Sequence, residues 1–438
     1  MTDAAVRLWG TIVGAVTWLD DSQLGVFQYA PDFLSSGIQL APLTMPLSEN
    51  PYSFPGLPRD TFKGLPGMLA DSLPDKFGNR LIDAWLAQQG RSPSSFDPVE
   101  RLCYIGTRGI GALEFEPAMG ASTTRSTTLH IAGLVELANR VLDDRGRLGG
   151  TLEGNVNDQA VLEDILRVGT SAGGARAKAV LAWNPTTGEF RSGQVAAGSG
   201  FEHWLLKFDG VSANADKELA DPLGFGRIEY AYSLMARAAG IVMTPCRLHL
   251  EGGRAHFMTK RFDRTDNGDK LHMQSLTAMM HYDFNAPGSY SYEQAVQVLR
   301  RLETGRDDIE QQVRRAIFNV VARNQDDHPK NIAYLMDRAG TWALSPAFDL
   351  SYSYNPTGQW TDRHQMSLNG KRDDFEREDL IAFATNAGIK AARAQKLVDE
   401  IVAAVAGWPI HAREAGVDER TVIRISKSLR HEALTVSR

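Results

Sequence analysis

Up to about Pro117, short runs of β type alternate with turns: Ile12–Leu19, Gly25–Tyr29 and Gly111–Phe115, joined by segments rich in proline and glycine. The apolar run that follows Met1–Arg7 and ends at Leu19 contains Gly10, Thr11, Gly14 and Thr17, and it reads as a strand. Helical spacing appears twice in this region. Leu81, Ile82, Trp85 and Leu86 share one face of a helix over Arg80–Gln89, led into by Leu73–Asn79, and Val99–Ile105 forms a second short helix. The result is an α+β unit. The Ser- and Thr-rich stretch Ala118–Thr128 is unpatterned and marks a boundary or connector.

Two helical patterns follow, Leu129–Leu142 and Gln159–Val168, joined by Arg145–Gly154, where four glycines break any period. From Gly169 the character changes. A glycine-rich loop, Gly169–Lys178, leads into a strand at Ala179–Trp183, a turn at Asn184–Gly188 and a strand at Phe201–Phe208. Ile228, Tyr232, Met235 and Ala239 then place a helix over Gly224–Ala239, and a hairpin over Cys246–Arg261 turns at Gly252-Gly253. Beyond it helical patterns dominate: Tyr292–Leu302, Ile309–Ala322, Phe375–Ala387, Ala391–Ala406 and Asp418–Leu429.

Length refines this picture: 438 residues at about 150 per domain suggest roughly three folded units. With 47 basic against 53 acidic side chains the net charge is −6, so bulk charge gives no case for binding nucleic acid or membrane. Only Cys103 and Cys246 are present, which excludes a disulfide framework and a cysteine-ligated zinc site and fits a reducing cytoplasm. No apolar run approaches the roughly 20 residues needed to span a bilayer. Basic residues at Arg413, Arg420, Arg424, Lys427 and Arg430 read as a solvated face, with a DNA- or acid-binding stripe as the weaker alternative.

The densest chemistry lies in Asn324-Gln325-Asp326-Asp327-His328-Pro329-Lys330-Asn331, between the Ile309–Ala322 helix and a strand at Ile332–Met336. Pro329 ends any helix, so these groups sit on a loop where they can converge on a ligand. Phosphoryl transfer needs a carboxylate for the acceptor proton, an amide oxygen for Mg²⁺ and a second carboxylate for the metal. Asp326 and Asn331 stand five apart, the spacing of the kinase catalytic loop, whereas Asp327 has the wrong offset. Asp349, after a second strand at Thr341–Leu344, occupies the place of the metal-binding Asp, although Leu350 replaces the usual Gly. Lys207 ends an apolar strand and suits the phosphates of ATP. Upstream, the loop carrying Ser171, Ala172, Gly173, Gly174 and Ala175 offers backbone amides to phosphate, and Glu229 on the next helix can pair with Lys207.

Each piece alone has an ordinary explanation: a turn, a solvated lysine, an exposed Glu229, an Asp326-Asp327 turn, a His328 satisfying a backbone group. Their order favours a kinase. A small-molecule kinase would use the same parts, a pseudokinase regulator would lack one of them, and a metal-dependent nuclease built on Asp326, Asp327, His328 and Asp349 would leave the glycine loop and Lys207 unexplained.

The chain resembles the HipA toxin kinases of bacterial type II toxin-antitoxin modules over nearly its whole length. The resemblance rests on Ser72-Leu73-Pro74-Asp75, Gly109-Ile110-Gly111-Ala112-Leu113, Ser171–Lys178, His203–Lys207, Arg261-Phe262-Asp263-Arg264, the Asp326–Asn331 loop and Phe348-Asp349. It implies a two-lobed, protein-kinase-like α+β fold, with a mixed N-terminal lobe and a mostly helical C-terminal lobe. The implied units are 1–118, a HipA N-terminal subdomain; 119–264, the rest of the N-lobe with the glycine loop; and 265–438, the helical C-lobe. It further implies an ATP- and Mg²⁺-dependent serine/threonine protein kinase with Asp326 as base, His328 and Lys330 beside it, and Asn331 and Asp349 on Mg²⁺. Lys207 would contact ATP phosphates, Met258 to Lys260 would meet adenine, and Ser171 would be the autophosphorylated serine. Implied partners are an aminoacyl-tRNA synthetase as substrate and a small DNA-binding antitoxin, with DNA approached only through it. Two departures bear on loop and substrate contacts: Leu271–Leu276 keeps Gln274 but lacks the family's acidic pair, and Arg176 stands where the glycine loop often has Gln.

Overall fold

The structure, a computed structural model, describes residues 1–119, 128–143, 166, 168–169, 176–193, 198–211, 215–216, 219–220 and 223–435. The N-terminal part is a four-stranded antiparallel sheet in the order Leu24–Tyr29, Thr11–Leu19, Thr2–Leu8, Leu113–Glu116. The N-terminal run therefore forms two strands rather than one. Trp9 and Gly10 both take positive φ (49° and 84°), the two-residue turn whose twist matches a hairpin. Val6, Leu8, Val16, Trp18, Phe27 and Tyr29 point inward at period two and are buried.

The helix Lys76–Gln88 begins earlier than its apolar face suggests, because the Asp75 side chain caps it by accepting from the Gly78 N–H at 2.6 Å. Pro98–Ile105 starts at a capping box between Asp97 and Glu100. Ile131–Asp143 follows the Leu129–Leu142 pattern, whereas most of Gln159–Val168 and all of Ser171–Ala175 lie outside the described residues.

A five-stranded antiparallel sheet runs Cys246–Glu251, Arg254–Lys260, Glu202–Lys207, Lys178–Trp183, Phe190–Ser192. The helix Phe225–Ala238 packs closely on it: a Cβ added at Gly226 would lie 2.1 Å from the Ala255 carbonyl oxygen. A three-stranded sheet, His272–Ser275, Ala333–Met336 and Trp342–Leu344, sits among the helices Tyr292–Arg301, Arg306–Val321, Arg377–Asn386, Ala391–Ala406 and Glu419–Ser426. The sequence pattern did not announce the His272–Ser275 strand or the helices Leu276–Met280 and Trp408–Glu414. One hydrophobic core joins the first sheet to the C-terminal helices, from Val6 through Tyr232 and Phe318 to Trp408; a second joins Leu81 and Val135 to Leu206 and Met258. No helix among the described residues is long and apolar enough to cross a membrane. Both cysteines are free. The supposed basic face is interrupted: Arg430 is buried and donates to the Val320 carbonyl oxygen at 2.8 Å, and Arg413 pairs with Glu419 at 2.7 Å.

Candidate active site

The strand Glu202–Lys207 delivers Lys207 to its end, where the ammonium meets two carboxylates. Nζ donates to Glu229 Oε1 at 2.5 Å and also to Asp349 Oδ1. Glu229 is 2 % exposed, so it is no surface helix residue. Burial pushes its carboxyl up, Asp349 adding to that and the Lys207 charge opposing it. Burial would also raise Asp349, but the ammoniums of Lys207 and Lys178 and the Arg176 guanidinium outweigh it and hold the carboxyl at about 2. Asp349 is thus a carboxylate at neutral pH. Its φ of 54° lies in the left-handed region, a conformation that non-glycine residues hold only where the surroundings enforce it. Burial would lower Lys207, yet Asp349 and Glu229 raise it, so the ammonium stays charged. Arg176 lies 3.5 Å above the Phe225 ring and 4.0 Å from Glu229, and these residues line a small cavity with Lys207 and Gly226.

The second cluster is the loop after Arg306–Val321. Two adjacent acids have opposite fates there. The Asp326 side chain is 32 % exposed, with His328 Nε2 3.8 Å from Oδ1. Asp327 is buried and saturated: Tyr292 OH, the Gln365 N–H and His364 Nδ1 each lie 2.7 Å from its oxygens. Arg430 Nη1, which can only donate, lies 2.9 Å from His364 Nε2, so Nδ1 carries the proton given to Asp327. Burial works to raise Asp327, but His364, Tyr292 and the Gln365 amide hold it below the usual carboxylate range. Asp327 therefore anchors the loop that exposes Asp326. Asn331 Nδ2 donates to the Asp326 carbonyl oxygen at 2.9 Å, which leaves the amide oxygen as a donor to a cation. Lys330 Nζ sits 5.2 Å over the Phe284 ring, whose centroid is 5.5 Å from that of His328.

Asn331 and Asp349 thus offer hard oxygens of the kind Mg²⁺ takes from one or two protein groups, with phosphates and water completing its shell. Among the described residues no group of three or more His, Cys, Asp or Glu could hold a metal ion. The remaining expected residues are placed as follows. The Met258 side chain is buried in the second core, so its strand can meet a ligand there only through its backbone. Lys260 pairs with Glu202 and Asp266, each at 3.1 Å. Ser171, Ala172, Gly173, Gly174 and Ala175 lie outside the described residues.

Several motif residues turn out to join the N-terminal unit to this site. Asp263 receives both Arg261 and Arg264 and also the Gly111 N–H at 2.8 Å; Gly111 has φ 76° and faces Met273. Gln274 donates to the Leu40 carbonyl oxygen. Asp75 meets Lys178 at 3.2 Å. His364 and Arg430 carry no local sequence signal: they are single residues brought to Asp327 by tertiary structure. Asp75 and Lys178 stood within motifs, but nothing in their spacing said that they would meet.

Comparison with known proteins gives a consistent picture. The model of the HipA-like C-terminal domain matches residues 170–408 and that of the HipA N-terminal domain matches 4–116. The Sinorhizobium fredii protein Y4mE is 27 % identical over 125 residues, which are 26 % of this chain; the match spans only 30 % of that relative's length. Among solved structures, a chain of the Shewanella oneidensis MR-1 toxin-antitoxin complex of HipA, HipB and operator DNA superposes with a TM-score of 0.67 at 17 % identity, covering 98 % of this chain and 97 % of that one. The Helicobacter pylori proinflammatory kinase CtkA aligns over 51 % of this chain and 92 % of its own at 10 % identity, with a TM-score of 0.30.

Proposed function

The chain belongs to the HipA family, and from that premise we propose that it is an ATP- and Mg²⁺-dependent serine/threonine protein kinase, the toxin of a toxin-antitoxin pair. The observation that carries this reading is the Lys207–Glu229 ion pair, of the kind protein kinases require for transfer, with Asp349 beside the same ammonium. Y4mE, whose name describes a candidate kinase, supports the same class.

In this reading Lys207 binds the nucleotide phosphates and Glu229 fixes its direction. Asn331 and Asp349 would hold Mg²⁺, which supplies charge neutralisation at the β- and γ-phosphates. Asp326, the partly exposed acid of the loop, accepts the proton of the acceptor hydroxyl, and Lys330 offers positive charge to the transferred group. The backbone of Met258–Lys260 would meet adenine. The nuclease alternative loses one of its carboxylates, because Asp327 is consumed by Tyr292, His364 and Gln365.

We further infer the division 1–118, 119–264 and 265–438, a translation component such as an aminoacyl-tRNA synthetase as substrate, and a small DNA-binding antitoxin as partner. The last is supported by the likeness to a HipA found with HipB and operator DNA. Incubating the purified protein with labelled ATP, Mg²⁺ and cell lysate is expected to label serine or threonine of one or a few proteins. Absence of labelling in the parent, or labelling that persists with Asp326→Asn, would overturn the reading.

Ser171 is proposed as a self-phosphorylation site that switches the enzyme off, since a phosphate of about two negative charges would compete with those of ATP. Preincubation with Mg-ATP should then silence the parent and spare Ser171→Ala; equal loss in both contradicts the switch.

A further inference from the structure

The segment 281–290 joins the helices Leu276–Met280 and Tyr292–Arg301, and nothing in the reaction so far uses it. Its Phe284 ring, half-buried, lies against two residues of the loop 326–331. The ring centroid is 5.5 Å from that of His328, with the planes tilted by 48°, and Lys330 Nζ stands 5.2 Å from the same centroid. An ammonium at this distance is attracted by the negative face of the ring. That attraction is similar in size to the rotamer entropy of a lysine side chain, so the contact decides where the charge of Lys330 rests. Packing alone does not account for the ring: Tyr282 packs on the first hydrophobic core, whereas Phe284 belongs to neither.

The segment that carries Phe284 is closed on itself. Tyr282 and Tyr290 stack with centroids 4.1 Å apart, and the Asp283 N–H donates to the Tyr290 hydroxyl at 2.7 Å. Both residues flanking Phe284 are then tied to one hydroxyl of the N-terminal unit. Thr61, in the helix Arg59–Phe62, donates to Asp283 Oδ1, and its oxygen accepts from Asn285 Nδ2 at 2.9 Å. Asp283 Oδ1 also accepts the Asn285 N–H at 2.9 Å. The Thr61 hydroxyl thus has its donor and its acceptor place filled from either side of residue 284, which fixes the backbone that aims the ring.

We propose that Phe284 is a positioning residue for phosphoryl transfer: its ring holds the Lys330 ammonium and packs the His328 imidazole, and Thr61 of the N-terminal unit holds the ring. This rests on the kinase reading and gives the N-terminal unit a part in it.

The test joins spectroscopy to rate. The full chain is dimethylated on its lysines with carbon-13, which keeps their charge, and the Lys330 methyl signal is assigned by its absence from Lys330→Arg. Unmodified samples are assayed for transfer from labelled Mg-ATP to lysate proteins and, by calorimetry, for binding of Mg-AMP-PNP. In the parent the Lys330 signal should be moved upfield by the ring. Phe284→Leu, which keeps bulk and removes the aromatic face, should lose that shift and slow transfer by about 10-fold, with AMP-PNP affinity within a few-fold; a displacement of about 1 Å in a catalytic group costs up to about 100-fold. Phe284→Tyr should recover both shift and rate. Thr61→Val should reduce both, and Thr61→Val/Phe284→Leu should be no slower than Phe284→Leu, because the two act through one ring. A parental rate or a parental Lys330 signal in Phe284→Leu, an equal loss in Phe284→Tyr, or a fall in AMP-PNP affinity as large as the fall in rate overturns the proposal and leaves the kinase reading standing. If Phe284→Leu does not fold, Thr61→Val decides alone: a reduced shift with slowed transfer supports the proposal and parental values overturn it. A parent that transfers no phosphate overturns the kinase reading itself, and this proposal with it.

Discussion

Two neighbouring acids play different parts in the loop that follows Arg306–Val321. The Asp326 side chain is partly exposed while Asp327 is locked by Tyr292, His364 and the Gln365 amide, and His364 is oriented in turn by Arg430. Kinase spacing separated the two in the sequence, but nothing there said that Asp327 would be an anchor, because its partners lie 35 to 38 positions away. Asp327→Asn should replace the carboxylate that accepts from Tyr292, His364 and the Gln365 amide by a group with a single acceptor oxygen, and lower stability by about 3 kcal/mol, read as a fall in denaturation midpoint. The acid limb supplies a second check. The folded-state pKa of Asp327 is depressed, so its contribution is complete above the unfolded carboxyl value of about 4 and is lost as pH falls below it. The variant should show a shallower loss of stability there. An unchanged midpoint and acid limb would deny the anchor.

Between elements, the N-terminal sheet is docked on the helical lobe by polar contacts as well as by a shared core. The Gly67 N–H donates to His281 Nε2 at 3.1 Å, Asp71 receives the Ser275 N–H at 2.7 Å, and Trp9 Nε1 donates to the Lys270 carbonyl oxygen at 2.7 Å. Burial depresses both His272 and His281 to about 4. Unfolded histidine titrates near 6.5, so docking is at full strength above that pH and weakens as pH falls from there toward 4. For the buried His272 the difference amounts to about 3 kcal/mol by pH 4, from 2.5 pH units at 1.36 kcal/mol each. Amide exchange at Gly67 should accelerate between pH 7 and 5, after correction for intrinsic rates, and His281→Asn should remove that step. Exchange that follows intrinsic chemistry alone would show that the imidazole does not hold the junction. The elements here were largely legible: the hairpin at Gly252-Gly253, the helix over Gly224–Ala239 and the C-terminal helices follow from apolar period and turn residues. His272–Ser275 and Leu276–Met280 were not, because a strand and a helix share one short run and neither completes a period. The roles of Gly109–Leu113 and Arg261–Arg264 were equally hidden, since a docking pair is defined only when both halves meet.

At the scale of the molecule, the chain has the fold of HipA and gathers Lys207, Glu229 and Asp349 from a strand, a helix and a post-strand turn into one contact set. Order along the sequence foretold that set, and the register of the Lys178–Trp183 and Glu202–Lys207 strands sets a second lysine, Lys178, opposite Lys207. The most direct measurement is the rate of γ-phosphoryl transfer from Mg-ATP by the parent and by Asp326→Asn, with nucleotide affinity determined on the same samples. Loss of the proton acceptor should slow transfer by about 10²- to 10⁴-fold, with affinity within a few-fold of the parent. Equal rates in the two proteins would contradict the assignment of Asp326 and, with it, the enzyme proposed for this cleft.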